Sequence, residues 1–140
     1  MNLVEKLVKI DKKDYEQIEV KKIKSKMIAR RLKVSEDSED AEITIKAIDG
    51  DLFAELTATS VDKKGNVIIG KAFSANAKIV AVGLVEPNLK DKELLNHLGA
   101  ATPEAAAKKI FNGEINKIAA EISELSGMSN DEDEIEEIKN

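Results

Sequence analysis

TPEAAAKKIFNGEINKIAAEISELSG, residues 102–127, decides the class of fold. The Thr102 hydroxyl can cap a helix whose first turn accepts Pro103, because the donor that proline lacks would have no partner there anyway. Ile110 and Phe111 close that segment. Beyond Gly113, the side chains of Ile115, Ile118, Ala119, Ile122 and Leu125 fall on one continuous stripe at helical spacing, and Gly127 ends it. Two amphipathic helices in succession must bury their apolar faces against further helices.

The preceding residues supply them. Asp91 can cap a helix with Leu94, Leu95 and Leu98 facing inward and Gly99 at its end. From Ala72, the residues Phe73, Ala77, Val80 and Leu84 form another stripe, widened by Ile79 and Val82, and Pro87 stops it. Further upstream the period changes. EITIKAI, residues 42–48, alternates Ile43, Ile45 and Ala47 with Thr44 and Lys46, the pattern of a half-buried strand. IEVKKI, from Ile18, suggests a second extended segment, and KSKMIARRL one or two helical turns. SEDSED (35–40) and DKKGN (62–66) read as loop and turn, with the helical LFAELTATSV between them. At the N-terminus, NLVEKLVKI places Leu3, Leu7 and Ile10 at helical spacing, a short amphipathic helix that needs something to lie against.

The expected fold is therefore α+β and mostly α-helical, with one or two short strands in the N-terminal half and a C-terminal bundle of about four helices. Residues 1–128 are expected to form a single compact domain, with residues 1–34 as N-terminal helix and basic arm and 42–128 as body. Residues 129–140 are expected to be an acidic, disordered tail, in which Ile135 and Ile138 are too sparse to build a core.

Composition narrows the chemistry. A chain of 140 residues with three Phe, one Tyr and no Trp builds one modest, aliphatic core. The absence of cysteine excludes disulfides, thiolate chemistry and Cys-dependent zinc sites, and suits an intracellular product. The N-terminus has acidic and basic residues within its apolar stretch and does not read as a signal peptide. The weakly charged stretch Ala72–Val85 is too short to span a bilayer. The net charge of −5 hides an asymmetry: residues 1–33 hold eleven Lys or Arg against five Asp or Glu, and residues 34–140 hold eleven against twenty-two. Such a basic arm suits an acidic protein surface, partner subunits or nucleic acid. Nucleic acid is the lesser reading, because KKIKSKMIARRLK lacks interleaved aromatics and a recognition fold.

Candidate catalytic features fail on context. Gly65, Gly70 and Lys71 have the spacing of a phosphate-binding loop, but Ala72 replaces the hydroxyl residue, DKK rather than a strand precedes it, and NVII is too apolar to wrap phosphate. His97, the one histidine, has no nearby nucleophile or orienting carboxylate and suits a helix C-terminus. Asp49 and Asp51 read as turn and cap residues rather than the spaced oxygen set of a calcium loop. No catalytic residue, metal site or cofactor is expected.

Residues 83–128 resemble the C-terminal half of the XkdN-like tail assembly chaperones of long-tailed phages and prophages. Val85-Glu86-Pro87 matches that family's turn after a helix, Asp91 to Leu95 its Asp-Lys-Glu-Leu-Leu helix, and Gly99 to Glu104 its Gly-Ala-Ala-Thr-Pro-Glu turn. Asn112 to Ile115 matches a Pro-Gly-Glu-Ile helix start, with Asn112 in place of proline, and Leu125-Ser126-Gly127 the closing Leu-Ser-Gly. Ala105, Ala106 and Ala107 replace bulkier residues. The family motif thus assigns structural roles to Pro87, Gly99, Thr102, Pro103, Gly113 and Gly127. The resemblance implies a non-enzymatic assembly factor, without cofactor or membrane attachment, that binds the tape measure protein during tail morphogenesis, with the tail-tube protein as a further partner. It implies a homo-oligomer in the cytoplasm of the bacterial host, absent from the mature virion. The alternatives are a structural tail component or a small nucleic-acid-binding regulator using the basic arm. For partner binding, Leu3, Leu7 and Ile10 are the leading candidates. Leu94, Leu95, Leu98, Ile118 and Ile122 could line a client groove or fill the core.

Overall fold

Five of the eight described helices start after a short polar side chain that satisfies one of the first free backbone donors. In the computed structural model, which describes residues 2–128, helix α1 (Leu3–Val8) is capped by Asn2 and α2 (Lys12–Glu16) by Asp11. Strand β1 (Val20–Lys24) leads to α3 (Lys26–Leu32), capped by Ser25 and ended by Lys33 in the left-handed conformation at φ 59°. A 3₁₀ turn over Glu39–Ala41 opens strand β2 (Glu42–Lys46). Asp49 occupies the cap position of α4 (Gly50–Ala58), although its side chain makes no capping bond.

The helical half comprises α5 (Ile69–Gly83), α6 (Lys92–Leu98), α7 (Pro103–Phe111) and α8 (Ile115–Leu125), the four helices that the apolar stripes indicate. Asp91 and Thr102 cap α6 and α7 as expected, and Gly99 ends α6 at φ 65°. Gly127 follows α8 at φ 80°.

One segment departs from the sequence pattern. The stripe through Leu84 suggests a helix running to Pro87, yet α5 ends at Gly83 and Leu84–Glu86 form a third strand, β3. Proline disfavours helical backbone in the residue before it, and the edge of β2 offers those three residues ladder partners. The sheet order is β1-β2-β3, antiparallel throughout, with Ile45 opposite Lys21 on one side and Leu84 on the other.

The alternation in β2 sends Ile43 and Ile45 into the core, where they meet α5, α7 and α8. Ala77, Ile79 and Val80 of α5, Ala106, Ala107, Ile110 and Phe111 of α7, and Ile115, Ile118, Ala119 and Ile122 of α8 complete it. Helix α5 packs on both α7 and α8, while α4 rests on α5 and α6 on α7. The small residues of α7 and α5 allow this close approach, so Ala105–Ala107 serve interior packing: Ala106 and Ala107 are fully buried. The expected tail, residues 129–140, lies outside the described residues.

Candidate functional site

The phosphate-loop resemblance ends in an internal turn. Within DKKGN, the Asp62 carboxylate accepts from the backbone N–H of Lys64 at 2.8 Å and of Asn66 at 2.9 Å. The hydrogen bond from the Asn66 backbone lowers the Asp62 pKa below its ordinary value; partial desolvation opposes this, and the Lys64 N–H adds to it. These amides, which would face a phosphate, already hold an anion. Gly70 and Lys71 belong to the first turn of α5, facing outward. Among the described residues, no group of three or more His, Asp or Glu side chains is placed to hold a metal ion.

The basic arm is equally committed. Lys21 reaches Glu121 of α8 at 3.2 Å, and Lys22 and Lys24 reach Glu42 of β2 at 3.9 and 3.5 Å. Arg31 donates from Nη2 to the Lys109 carbonyl at 2.9 Å and from Nε to that of Ile110 at 3.3 Å, capping the end of α7. Lysines along β1 also protect an edge strand from pairing with foreign strands. The charge cluster that stands out in the sequence is thus largely spent on holding the arm to the acidic body.

Among the described residues, two apolar clefts stand out. The first is α1 with α2. Neither helix has a buried residue. Leu3 is 69% exposed, and Leu7 and Ile10 are each 43% exposed. Leu7 and Ile10 join Val4, Val8 and Tyr15 around a shallow cleft of about 500 Å³, braced where the Tyr15 hydroxyl donates to the Leu7 carbonyl at 2.6 Å.

The second is a groove of about 600 Å³ between α3, α6, α7 and the sheet. Its apolar lining comes from Ile28 and Leu32 of α3, Ile43 of β2, Pro87, Leu94 and Leu98 of α6, and Ile110 of α7. Charge divides its rim. Arg31, His97 and Lys109 stand on the side of the helices, where Lys109 also donates to the Leu98 carbonyl at 2.7 Å. Asp40, Glu42 and Glu86 stand on the side of the sheet.

The groove brings together Leu94, Leu98, Pro87 and Ile110, which the sequence reading names, with Ile28 and Leu32, which it does not. Ile28 and Leu32 are one helical turn apart on α3, but the surrounding lysines and arginines draw attention to charge instead. Leu95 packs toward the core and takes no part in the lining. Ile118 and Ile122 are 1% and 0% exposed within α8, packed in the core. Enclosed in this way they present no surface to a client, and their place is structural. Asn112 stands at φ 46°, a value closed to proline, so the turn into α8 differs in shape from one starting with proline.

The described residues form a mostly helical fold with a three-stranded antiparallel sheet. The chain belongs to the phage XkdN-like tail assembly chaperone family, whose model matches residues 4–139. That family is one of chaperones, and the chain is a non-enzymatic member of it. Its fold is similar to that of the protein YqbN, a structural genomics target known from a crystal structure. The TM-score is 0.53 at 21% identity, over 81% of this chain and 90% of that one. No curated protein matches the chain. None of the described helices is long and apolar enough to cross a membrane.

Proposed function

We propose that the chain holds apolar helical segments of the tape measure protein in soluble form while the tail is assembled, and leaves before the virion is complete. The carrying observation is the groove of Ile28, Leu32, Leu94, Leu98 and Ile110, an apolar floor between a basic and an acidic wall. An amphipathic helix laid in such a groove buries its apolar stripe while its flanking charges remain solvated. Family membership supports the assembly role. The tail-tube protein is a second partner on this reading, and the host cytoplasm is the place of action.

Co-purification of the tagged chain with the tape measure protein of its phage tests the reading, with complex mass read by light scattering. A soluble complex that is weakened by Leu98→Asp is expected. Absence of any complex with a folded chain would overturn it. Detection of the chain in purified virions would instead make it a structural tail component.

A further inference from the structure

The two walls of the groove are not electrically equal. On the helix side, Arg31 and Lys109 are both turned toward helix ends. Arg31 donates to the carbonyls of Lys109 and Ile110 at the C-terminus of α7. Lys109 donates to those of Leu98 and Gly99, at 2.7 and 3.4 Å, where α6 ends. A helix C-terminus carries roughly half a negative charge, so each cation is partly offset where it stands. On the sheet side, Glu42 is shared by Lys22 and Lys24. Asp40 and Glu86 are exposed and make no ion pair among the described residues. Both stand at the end of the sheet where β2 begins: Asp40 precedes that strand, and Glu86 pairs with Thr44. Glu36, Asp37 and Glu39 continue the same sign along the chain that leads into it.

We infer that the groove selects an apolar helix flanked by lysine or arginine, with its stripe on Leu32, Leu94 and Leu98 and its cations meeting Asp40 and Glu86. A long basic side chain suits this place, because its stem covers the apolar floor while its charged head reaches the rim. An acidic helix would bring carboxylates against Asp40 and Glu86. To pair with Arg31 or Lys109 it would have to draw them from the carbonyls they hold, leaving a helix end uncapped. The carboxylates at the rim are exposed, so charge chooses and orients the partner while the apolar floor supplies the strength. The inference rests on the groove being the client site, as proposed above, and narrows the client to its cationic amphipathic segments.

Two hydrocarbon-stapled peptides of about 15 residues, roughly four helical turns, test it. They share one leucine stripe and differ only in carrying lysine or glutamate beside it. Fluorescence anisotropy with the full chain at low salt is expected to show the lysine peptide binding about three- to tenfold more tightly, in keeping with two exposed ion pairs. The preference should shrink as salt is raised. Asp40→Asn together with Glu86→Gln should remove most of it. Asp51→Asn together with Glu55→Gln makes the same change in net charge on α4, outside the groove, and should leave it intact. Leu32→Ser, at a position 54% exposed that the body can spare, should weaken both peptides. Equal binding of the two peptides would overturn the inference, as would a preference lost equally in the α4 variant. A preference for glutamate would also overturn it and point to an acidic occupant such as residues 129–140. In each of these cases, dependence on Leu32 leaves the groove standing as a client site. Absence of binding by either peptide would overturn the inference too, and co-purification with the tape measure protein then decides the client reading separately.

Discussion

Gly83, the last residue of α5, lies directly against Ile122 of α8: a Cβ at Gly83 would stand 2.7 Å from Ile122 Cδ1 and 2.9 Å from its Cγ2. No Cβ is accommodated at such distances. The missing side chain therefore sets how closely α5 and α8 approach, and with it the position of β3, which begins one residue later.

Gly83→Ala is accordingly expected to destabilise the fold. Alanine improves helix propensity by about 1 kcal/mol over glycine, but overpacking a closed core costs about 1–3 kcal/mol. Because Ile122 is fully buried and β-branched, the packing term is expected to prevail. Thermal unfolding should show a lowered midpoint. Adding Ile122→Val, which removes the atom at 2.7 Å, should recover part of the loss; a Gly83→Ala chain as stable as the parent would disprove the close contact.

Glu114 ties the N-terminal half to the helical half. Its carboxylate accepts from the Ser25 hydroxyl and, at 2.8 Å, from the Lys26 backbone N–H, so it caps α3 from outside that helix. Ser25 is 1% exposed and cannot turn to water when the partner is lost. Glu114→Ala should cost about 1–3 kcal/mol in urea unfolding, the range for orphaning a buried polar group. Ser25→Ala should cost less in the Glu114→Ala background than in the parent chain, because the Ser25–Glu114 bond is then already gone and only the cap on the Ile28 N–H remains to be lost.

The Asp62 turn has a predictable acid response. Its folded pKa is lowered, so the carboxylate supports the turn above the ordinary aspartate value of 3.8, and that support is lost as pH falls through the lower folded value. NMR titration should show the Lys64 and Asn66 amides moving together with the Asp62 carboxyl, at a midpoint below 3.8. Asp62→Ala should abolish the coupled shift. A midpoint at or above the ordinary value would contradict the hydrogen-bonding seen here.

What could be read in advance follows from which forces are local. The caps at Asp91 and Thr102, the αL endings at Gly99 and Gly127 and the stripe Ile115–Leu125 depend on neighbours a few residues away, and all occur as the pattern indicates. Strand β3 depends on Thr44 and Ile45, some forty residues upstream, and three residues carry no period of their own. The groove was half legible for the same reason. Leu94 and Leu98 announce themselves within α6, but their company with Ile28, Leu32 and Ile110 exists only once α3 is fastened to α7 by Arg31. The basic arm looked like a binding feature because its partners, Glu42 and Glu121, are remote from it in sequence.

Removal of residues 1–10 separates association from folding. These residues include all of α1, which has no buried side chain, and the core is assembled from residues 43–122. Their loss takes no apolar contact from that core, so the thermal midpoint of the body should remain essentially where it is in the full chain. Association should be lost, because Leu3, Leu7 and Ile10 go with the segment. Circular dichroism melts of the two chains, run alongside light scattering at equal concentration, give both answers. A large drop in midpoint would mean that α1 is part of the folded body, and unchanged mass with an unchanged midpoint would leave the arm without a docking role.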